Sequence, residues 1–355
     1  MFTEKLYLDH LPPALLDHYL AKGWYRMGQS MFTCRFLMFQ GQLFPAVWVR
    51  MPLAQYAFSK KLRKLYNRNA NRFQVVTRPG KINMEKERLY QKYRKHFPGR
   101  LAPSLKVSLL DDGNVNLFNT YETCIYDGPE LVGFSFFDLG KDSLASILGV
   151  YHPDYKKHSL GFFTMLLEIS FGLENGYSYY YPGYIVPGYA KFDYKTRIGP
   201  VECFDEKSQQ WIPKQEFPFE DLPTRRMEQA LLEVKGYLDE WSIPNNLVLY
   251  PPYEANLIGY WILDYLEYPM LLECVSTTLP APGRMVVAYD TIRDSFLLYQ
   301  CSVYDDLSDF FHSSLLDSTT NMPLQLELLI KDELLAEVSS GKEMARIIAE
   351  QERED

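Results

Sequence analysis

The chain has 355 residues, of which 47% are hydrophobic and 23% charged, with a formal net charge of −8. This ordinary globular composition excludes a disordered, collagen-like or coiled-coil chain, and the length favours two or three domains. Five scattered cysteines without a C-x-x-C pair argue against a disulfide framework and a cysteine zinc site, and the N-terminus lacks a secretory signal. We therefore predict a cytoplasmic protein.

The first 110 residues predict short helices and strands in alternation. Turn residues and caps delimit the following elements in order: a helix at Leu11–Lys22, a hairpin of Met31–Phe39 with Leu43–Met51, a basic helix from Lys60 to about Asn67 capped by Ser59, a strand at Phe73–Thr77 and a second basic helix at Met84–Phe97.

Positive charge is concentrated in this region. Residues 50–106 hold 16 Lys or Arg against Glu85 and Glu87, a net of +14, whereas the other 298 residues hold 21 positive and 43 negative side chains, a net of −22. Phosphate backbones are the commonest partner of such a segment. We predict nucleic-acid contact through Arg50, Lys60, Lys61, Arg63, Lys64, Arg68 and Arg72. The alternative is a solvated helical face that pairs with the acidic remainder of the chain.

A β-meander and a buried helix follow. The pattern predicts strands at Asn119–Tyr126, Leu131–Asp138 and Ser143–Tyr151, a helix at Leu160–Glu174 capped by Ser159, and a return strand at Tyr177–Tyr181. This order is typical of a GNAT-type N-acyltransferase core. We predict an α+β fold with a basic α+β region at residues 1–110, a GNAT-like core at 111–225 and an acidic C-terminal extension of unknown role at 226–355.

The acidic extension is less regular. It predicts a hairpin within Val286–Tyr304 and short helices near Leu324–Val338 and Lys342–Glu352. The most apolar run, Asn256–Cys274, carries Asp264 and Glu267, which indicates a buried segment rather than a membrane span.

The loop before the buried helix is the first candidate site. GNAT enzymes hold a phosphate-bearing donor there with a Q/R-x-x-G-x-G/A loop and the helix N-terminus. This chain has Lys156-x-x-Ser159-x-Gly161, which departs at two of three positions and argues against an acetyl-CoA donor, but it keeps the cation and the helix start. The candidate donor-binding residues are Lys156, Lys157, Ser159, Leu160 and Gly161; the alternative is a plain surface loop.

Three ordered motifs then carry a family resemblance. The segments His152–Gly161, Tyr179–Ile185 and Lys191–Glu202 resemble the Y-x-P-x-x-x-x-S-L-G, Y-Y-x-G-Y-x-I and K-x-x-Y-K-x-x-x-x-P-x-E patterns of arginyl-tRNA–protein transferases and their bacterial leucyl relatives. Further similarity lies in the segments Gly23–Gly28, Arg50-Met51-Pro52 and Leu167-Glu168-Ile169. The family's N-terminal cysteine cluster is missing, with only Cys34 in that region, so we predict no metal and no cofactor.

The resemblance implies transfer of an amino acid, arginine first, from aminoacyl-tRNA to the N-terminal α-amine of acceptor proteins, marking them for degradation. It implies acceptors with acidic first residues as partners, and neither DNA nor membrane. Lys195, Tyr194 and Glu202 are the candidate catalytic residues, and Arg26, Tyr184 and Lys191 join the loop residues as donor- or acceptor-binding candidates.

For each of these residues the alternative is an ordinary structural role. Glu202 fits a surface carboxylate equally well, and Tyr184 and Tyr194 fit core packing. His152 and His158 are conceivable proton carriers that the family comparison does not select. At the level of function, the alternatives are an acyl-CoA-dependent N-acyltransferase and a non-catalytic tRNA-binding protein on the same fold.

Overall fold

A computed structural model of the protein describes residues 3–97, 99, 101–260, 264–274, 284–315 and 322–351. The chain divides into two compact units. The larger unit comprises residues 6–33 and 47–217, and the smaller unit comprises residues 1–5, 34–46 and 218–355. The larger unit contains parts of both the basic region and the core that the sequence analysis separated at residue 110, and the three-part division stays a prediction.

The helices are, in chain order, α1 (Pro13–Ala21), α2 (Lys60–Ala70), α3 (Met84–His96), α4 (Leu105–Leu110), α5 (Leu160–Glu174), α6 (Pro223–Glu240), α7 (Ser308–Leu315) and α8 (Gly341–Gln351). Short 3-10 helices span Pro153–His158, Ala190–Thr196 and Pro251–Ile258.

The strands are, in chain order, β1 (Thr3–Tyr7), β2 (Tyr25–Met27), β3 (Ser30–Cys34), β4 (Phe36–Phe39), β5 (Gln42–Pro45), β6 (Val47–Pro52), β7 (Gln74–Pro79), β8 (Thr120–Asp127), β9 (Glu130–Leu139), β10 (Ser143–Tyr151), β11 (Tyr179–Ile185), β12 (Glu202–Asp205), β13 (Gln210–Pro213), β14 (Asn245–Leu249), β15 (Met270–Cys274), β16 (Arg284–Asp290), β17 (Ser295–Asp306) and β18 (Glu327–Val338). The mixed α+β class predicted from the sequence is confirmed.

The larger unit is built on one sheet with the strand order β13-β12-β6-β11-β10-β9-β8-β7. The meander β8-β9-β10 is antiparallel and the return strand β11 lies beside it, as the sequence predicted. Strand β11 runs parallel to β10. Helix α5 packs on this sheet through side chains that are almost fully buried, among them Phe163, Leu166 and Ile169. The apolar character of α5 on nearly every face accounts for its burial.

Two local predictions in this unit are wrong. Ser159 does not cap α5 with its side chain: it has a φ of 53° and its hydroxyl makes no cap hydrogen bond. Its carbonyl instead accepts hydrogen bonds from the N–H groups of Phe162 and Phe163. The return strand begins at Tyr179 rather than Tyr177, because the Tyr177 N–H is still bonded to the Gly172 carbonyl at the end of the helix.

The smaller unit contains a second antiparallel sheet, in the order β14-β15-β16-β17-β18, packed against α6 and α8. The predicted hairpin within residues 286–304 is confirmed as β16 and β17, and α8 confirms the last predicted helix up to residue 351. The helix expected near Leu324–Val338 is wrong, because β18 pairs with β17 from Glu327 to Val338. Tertiary pairing here overrides a composition of Leu, Glu and Lys that favours helix.

The predicted hairpin near residue 40 is shorter than expected. Strands β4 and β5 pair from Phe36–Pro45 to Phe39–Gln42 within the smaller unit, whereas β6 belongs to the sheet of the larger unit. None of the described helices combines the length and the apolar character that a membrane span requires.

Candidate active site

The two parallel strands of the larger unit part from each other. In a stretch described throughout, β10 and β11 pair only from Ser143–Tyr179 to Ala145–Tyr181, although both strands continue. The β9–β10 register slips by one residue at Ile147, two residues beyond the last pair. Such irregularities re-aim strands next to functional sites. The parting therefore leaves an opening between the two strands, which we call the strand opening.

A tyrosine from another strand lies in the strand opening. The Tyr25 hydroxyl is 2.7 Å from the Tyr181 carbonyl oxygen and also within hydrogen-bond distance of the Ser146 carbonyl oxygen. These two carbonyls belong to β11 and β10 respectively, and the single O–H donates to one of them at a time. Burial raises the pKa of Tyr25 well above its ordinary value. The hydroxyl that Tyr25 places in the strand opening is therefore neutral.

A glutamate of α5 lies in the same interior region. The Glu168 side chain is fully buried, and its Oε2 accepts a 2.8 Å hydrogen bond from the Tyr180 hydroxyl. The hydroxyls of Ser135 and Ser146 also hydrogen-bond this carboxyl group. Burial raises the pKa of Glu168 to about 7, against which the hydrogen bonds from Ser135, Ser146 and Tyr180 act. The molecule thus holds a carboxyl group that changes charge near neutral pH.

The 3-10 helix at Ala190–Thr196 brings two predicted catalytic residues to this part of the unit. Lys195 donates from Nζ to the Tyr184 carbonyl oxygen at 2.9 Å, and Nζ lies 4.9 Å from the centre of the Tyr184 ring. Gly183 makes room for this lysine, since a Cβ there would lie 3.1 Å from Nζ and its φ is +96°. The structure therefore brings Lys195 and Tyr184 together.

Tyr194 lies within electrostatic range of the buried glutamate. The residue is 37% exposed, yet burial around the hydroxyl and the charge of Glu168 raise its pKa. Tyr194 is therefore partly exposed and yet feels the charge of the interior carboxyl group. Lys191, the neighbouring candidate, is exposed and lies with Nζ 5.4 Å from the centre of the Tyr189 ring.

The assignment of Arg26 as a substrate-binding cation is wrong. Its side chain is 2% exposed and pairs with the buried Asp138 at 2.9 Å. It also donates to Thr120 and to the Leu109 carbonyl. Arg26 is neutralised inside the protein, and its guanidinium is not available to an acidic acceptor.

The structure pairs two other candidates with each other. Arg50 and Glu202 face each other across β6 and β12 and form an ion pair of 2.6 Å. The Arg50 guanidinium also lies over the rings of Tyr179 and Trp211, at 4.2 and 4.7 Å. Arg50 is therefore covered on several sides rather than presented to phosphates, and Glu202 orients Arg50 rather than a lysine.

The loop before α5 keeps its exposed lysines. Lys156 and Lys157 are exposed in the 3-10 helix at Pro153–His158, while Leu160 is buried at the start of α5. A Cβ at Gly161 would lie 3.1 Å from the Tyr151 ring, so this position requires a small residue. The Asn69 amide of α2 donates to the His158 carbonyl at 2.8 Å and joins the loop to the basic helix.

Helix α2 carries a cationic surface. Leu62 and Asn69 are its buried residues, and the Ser59 hydroxyl accepts from the Leu62 N–H as predicted. All its cations are exposed; they are Lys60, Lys61, Arg63, Lys64 and Arg68. Arg72, just beyond the helix, pairs with Asp127 at 2.9 Å with both side chains partly exposed. We call the five exposed cations of α2 the α2 cation face.

Sequence reasoning missed Tyr25 and Glu168. Both lie in segments that carried the family resemblance, but neither received a role. The available signal was the position of Glu168, a carboxylate in the middle of a helix that is otherwise almost entirely apolar. Within the described residues, no group of three or more His, Cys, Asp or Glu side chains is placed to hold a metal ion.

Comparison with known proteins places the chain in a family. Residues 64–205 match the family model described as the C terminus of arginine-tRNA-protein transferase. An aspartate/glutamate leucyltransferase of Leptospira interrogans is 30% identical over 175 residues, covering 47% of this chain and 68% of the relative. A protein of the same name from Phenylobacterium zucineum is 31% identical over 188 residues, covering 48% of this chain and 72% of the relative. The chain is thus an aminoacyltransferase. It belongs to the aminoacyl-tRNA–protein transferase family, and the predicted family is confirmed.

The comparisons do not support every detail of the predicted function and fold. The relatives' names specify leucine, so they do not support the arginine expected from the sequence. Among solved structures, the C-terminal domain of a putative lysylphosphatidylglycerol synthetase from Agrobacterium fabrum aligns with 14% identity and a TM-score of 0.32, over 51% of this chain and 54% of that one. This similarity is too low to support a fold assignment, which therefore rests on the sheet topology described above.

Proposed function

We propose that this protein transfers leucine from leucyl-tRNA to the N-terminal α-amine of proteins that begin with aspartate or glutamate. The names of its relatives support this donor and these acceptors. The observation that carries the proposal is the strand opening, where the Tyr25 hydroxyl lies against the Tyr181 carbonyl and the charge of the buried Glu168 acts on it. The donor ester is already activated, so the chemistry needs positioning and proton transfer rather than an additional cofactor.

The core around the strand opening is proposed to be of the GNAT type. An antiparallel meander, the helix α5 and a parallel strand that parts from its neighbour support this assignment. The exposed Lys156 and Lys157 precede α5, where the helix N-terminus and the two cations favour a phosphate of the tRNA acceptor end.

The α2 cation face is proposed to bind the tRNA body. Its five exposed cations are the densest part of the basic segment, and Asn69 connects this helix to the loop before α5. Phosphate contacts from such a face give affinity without sequence readout. Charge on the tRNA is thereby held next to the candidate donor site.

Recognition of an acidic acceptor residue is proposed to use Lys195 and Lys191. Lys195 lies beside Tyr184 at the far end of β11, and Lys191 is exposed four residues earlier. A carboxylate in the acceptor's first side chain complements these cations. Tyr194, whose pKa the charge of Glu168 raises, is proposed to line the path of the amine.

A transfer assay tests this function. Labelled leucyl-tRNA and arginyl-tRNA are each mixed with peptides that begin with Asp, Glu, Lys or Arg. We expect transfer from leucyl-tRNA to the Asp and Glu peptides. Arginine is the second candidate, since the matching family model carries that name. Transfer from acetyl-CoA alone would favour the N-acyltransferase alternative, and tRNA binding without any transfer would favour the non-catalytic one.

A further inference from the structure

We propose that Glu168 is the base that takes the proton from the attacking α-amine and returns it to the leaving ribose oxygen. This role rests on the proposed transfer reaction and identifies the residue that carries the proton in it. The sequence places Glu168 in the middle of α5, between Leu167 and Ile169, on a helix whose central residues are almost all buried. A carboxylate there is costly unless it is paired or used.

The carboxyl group has only neutral hydrogen-bond partners among the described residues. Oε2 accepts a 2.8 Å hydrogen bond from Tyr180, and the Ser135 and Ser146 hydroxyls bond the same carboxyl group. No lysine or arginine of the described ranges is among the groups that act on its pKa. Buried charges in folded proteins are nearly always paired with an opposite charge or a metal ion. A fully buried carboxylate without a cation beside it therefore calls for an explanation, and uptake of a proton supplies one.

The position of the group fits access by a substrate amine. Tyr180, which bonds Glu168, precedes Tyr181, the last residue of β11 that pairs with β10. The Tyr25 hydroxyl lies directly at this point, against the carbonyls of both strands. The strand opening therefore begins one residue beyond the tyrosine that bonds Glu168, and the proposal places the attacking amine there.

The titratable neighbours of Glu168 come from three elements. Tyr180 approaches from β11, Tyr25 from β2 and Tyr194 from the 3-10 helix at Ala190–Thr196. Burial and the carboxylate raise the pKa of each of these tyrosines, so all three stay protonated near neutral pH. The neighbours from β9 and β10 are the hydroxyls of Ser135 and Ser146. Glu168 is thus the group in this cluster that titrates near pH 7.

The energetics of the proton transfer are nearly balanced. Burial raises the pKa of Glu168 to about 7, while an α-amine titrates near 8. A base whose pKa lies near the operating pH is the most effective general catalyst. Ordinary exposed glutamates titrate near 4 and are much weaker bases toward an amine.

The proposed step conserves protons. The neutral α-amine attacks the ester carbonyl, the new C–N bond forms, and the N–H proton passes to Glu168. The bond from the carbonyl carbon to the ribose oxygen then breaks, and the leaving oxygen takes the proton from Glu168. The carboxylate is regenerated, and the products are the amide and the free ribose hydroxyl of the tRNA.

The test compares Glu168→Gln with the matched control Glu174→Gln, which removes an exposed carboxylate from the end of the same helix. The measured quantity is kcat/KM for an Asp-initiated peptide, at saturating leucyl-tRNA, between pH 5.5 and 9. We expect Glu168→Gln to lose about 10²- to 10⁴-fold in rate, which is the usual size of general acid–base catalysis, with tRNA affinity unchanged. Glu174→Gln should match the wild type.

The pH dependence of the transfer rate distinguishes a catalytic role of Glu168 from a structural one. The amine and Glu168 must both be deprotonated, so the wild-type log rate should fall with a slope near 1 between about pH 8 and 7 and near 2 below. In Glu168→Gln the slope should stay near 1. Tyr180→Phe removes a hydrogen bond to the charged form, so the second break should move to higher pH.

Each outcome decides the proposal. A Glu168→Gln enzyme with wild-type rate and slope would overturn the role of Glu168 while leaving the proposed function intact. Wild-type protein that transfers from neither tRNA would overturn the proposed function and Glu168 with it. If Glu168→Gln does not fold, the pH profiles of the other two proteins still decide the question. A wild-type profile without a second change of slope rejects Glu168 as the base. A change of slope that stays at the same pH in Tyr180→Phe rejects it as well.

Discussion

Arg26 and Asp138 form an ion pair inside the larger unit, with 2.9 Å between Nη1 and Oδ1 and with side chains 2% and 0% exposed. The pair joins β2 to β9, two strands whose residues are 112 positions apart. Because β2 also carries Tyr25, this ion pair holds the strand that inserts the hydroxyl between β10 and β11.

Removing the arginine should be costly. Arg26→Met leaves the Asp138 carboxylate buried without its partner, and we expect a loss of about 3–5 kcal/mol in the free energy of unfolding. The control is Arg72→Met, which breaks the partly exposed pair with Asp127 and should cost at most about 1 kcal/mol. Urea unfolding measures both variants. Equal, small losses would show that the buried pair has no special role in stability.

The α2 cation face should determine the salt dependence of tRNA binding. Replacing Lys61 and Lys64 with glutamine should weaken binding and lower the log–log salt slope by about 1.5, since each phosphate contact contributes about 0.7–0.9. The matched control is Lys342 and Arg346, two exposed cations of α8. Binding isotherms at several salt concentrations measure the slope. An unchanged slope in the α2 variant would show that the α2 cation face is exposed to solvent and does not contact the tRNA.

Lys195 should matter more for transfer than for folding. Lys195→Met keeps the apolar contact with the Tyr184 and Phe192 rings but removes the charge and the hydrogen bond to the Tyr184 carbonyl. A lost cation in a partly desolvated site is worth about 2–4 kcal/mol, or about 30- to 1000-fold in rate. The stability loss should be about 1 kcal/mol.

Single-turnover rates at saturating substrates measure this effect, with the exposed Lys141→Met as the control. If Lys195→Met turns over at the wild-type rate, the lysine is a packing and hydrogen-bonding residue, and the proposed acceptor contact moves to Lys191.

Glu168 should also make stability depend on pH. Its pKa in the folded protein is about 7, above the ordinary value of 4.5, so the unfolded chain loses this proton first as the pH rises. The stabilisation linked to the protonated group is complete below pH 4.5 and is lost as the pH rises through 7. Glu168→Gln should therefore gain stability relative to the wild type between pH 4 and 8, by about 3 kcal/mol.

Thermal and urea unfolding at the two pH values measure this difference, with Glu174→Gln again as the control. A constant difference between wild type and Glu168→Gln across this range would mean that the carboxyl keeps an ordinary pKa in the folded protein.

Local patterns predicted much of the larger unit. The meander β8-β9-β10 and the bounds of α5 follow from apolar periodicity and turn residues in continuous sequence. The pairing of β6 with β11 and β12 could not be derived in this way, because it joins distant segments and no local signal encodes a long-range partner. The same limit applies to the β17–β18 pairing, where β18 has the composition of a helix.

The candidate site was predictable only in part. Motif spacing led to Tyr184, near the end of β11, and to Tyr194 and Lys195 in the 3-10 helix that follows it. Arg26 and Arg50 could not be judged from residue type, because a cation buried against a carboxylate and a cation presented to a ligand look the same in sequence. Burial and partner identity are properties of the folded chain alone.

The place of β6 between β11 and β12 has a consequence during synthesis. Residues 47–52 gain both neighbours only once residue 205 has emerged from the ribosome, 153 positions after residue 52. At about 5–20 residues per second, the edge of β6 that pairs with β12 waits roughly 8–30 s without its partner, while β11 reaches the other edge somewhat earlier. It is therefore a site for chaperone binding on the nascent chain. A cell short of chaperones should accumulate aggregates of this protein that begin at that strand.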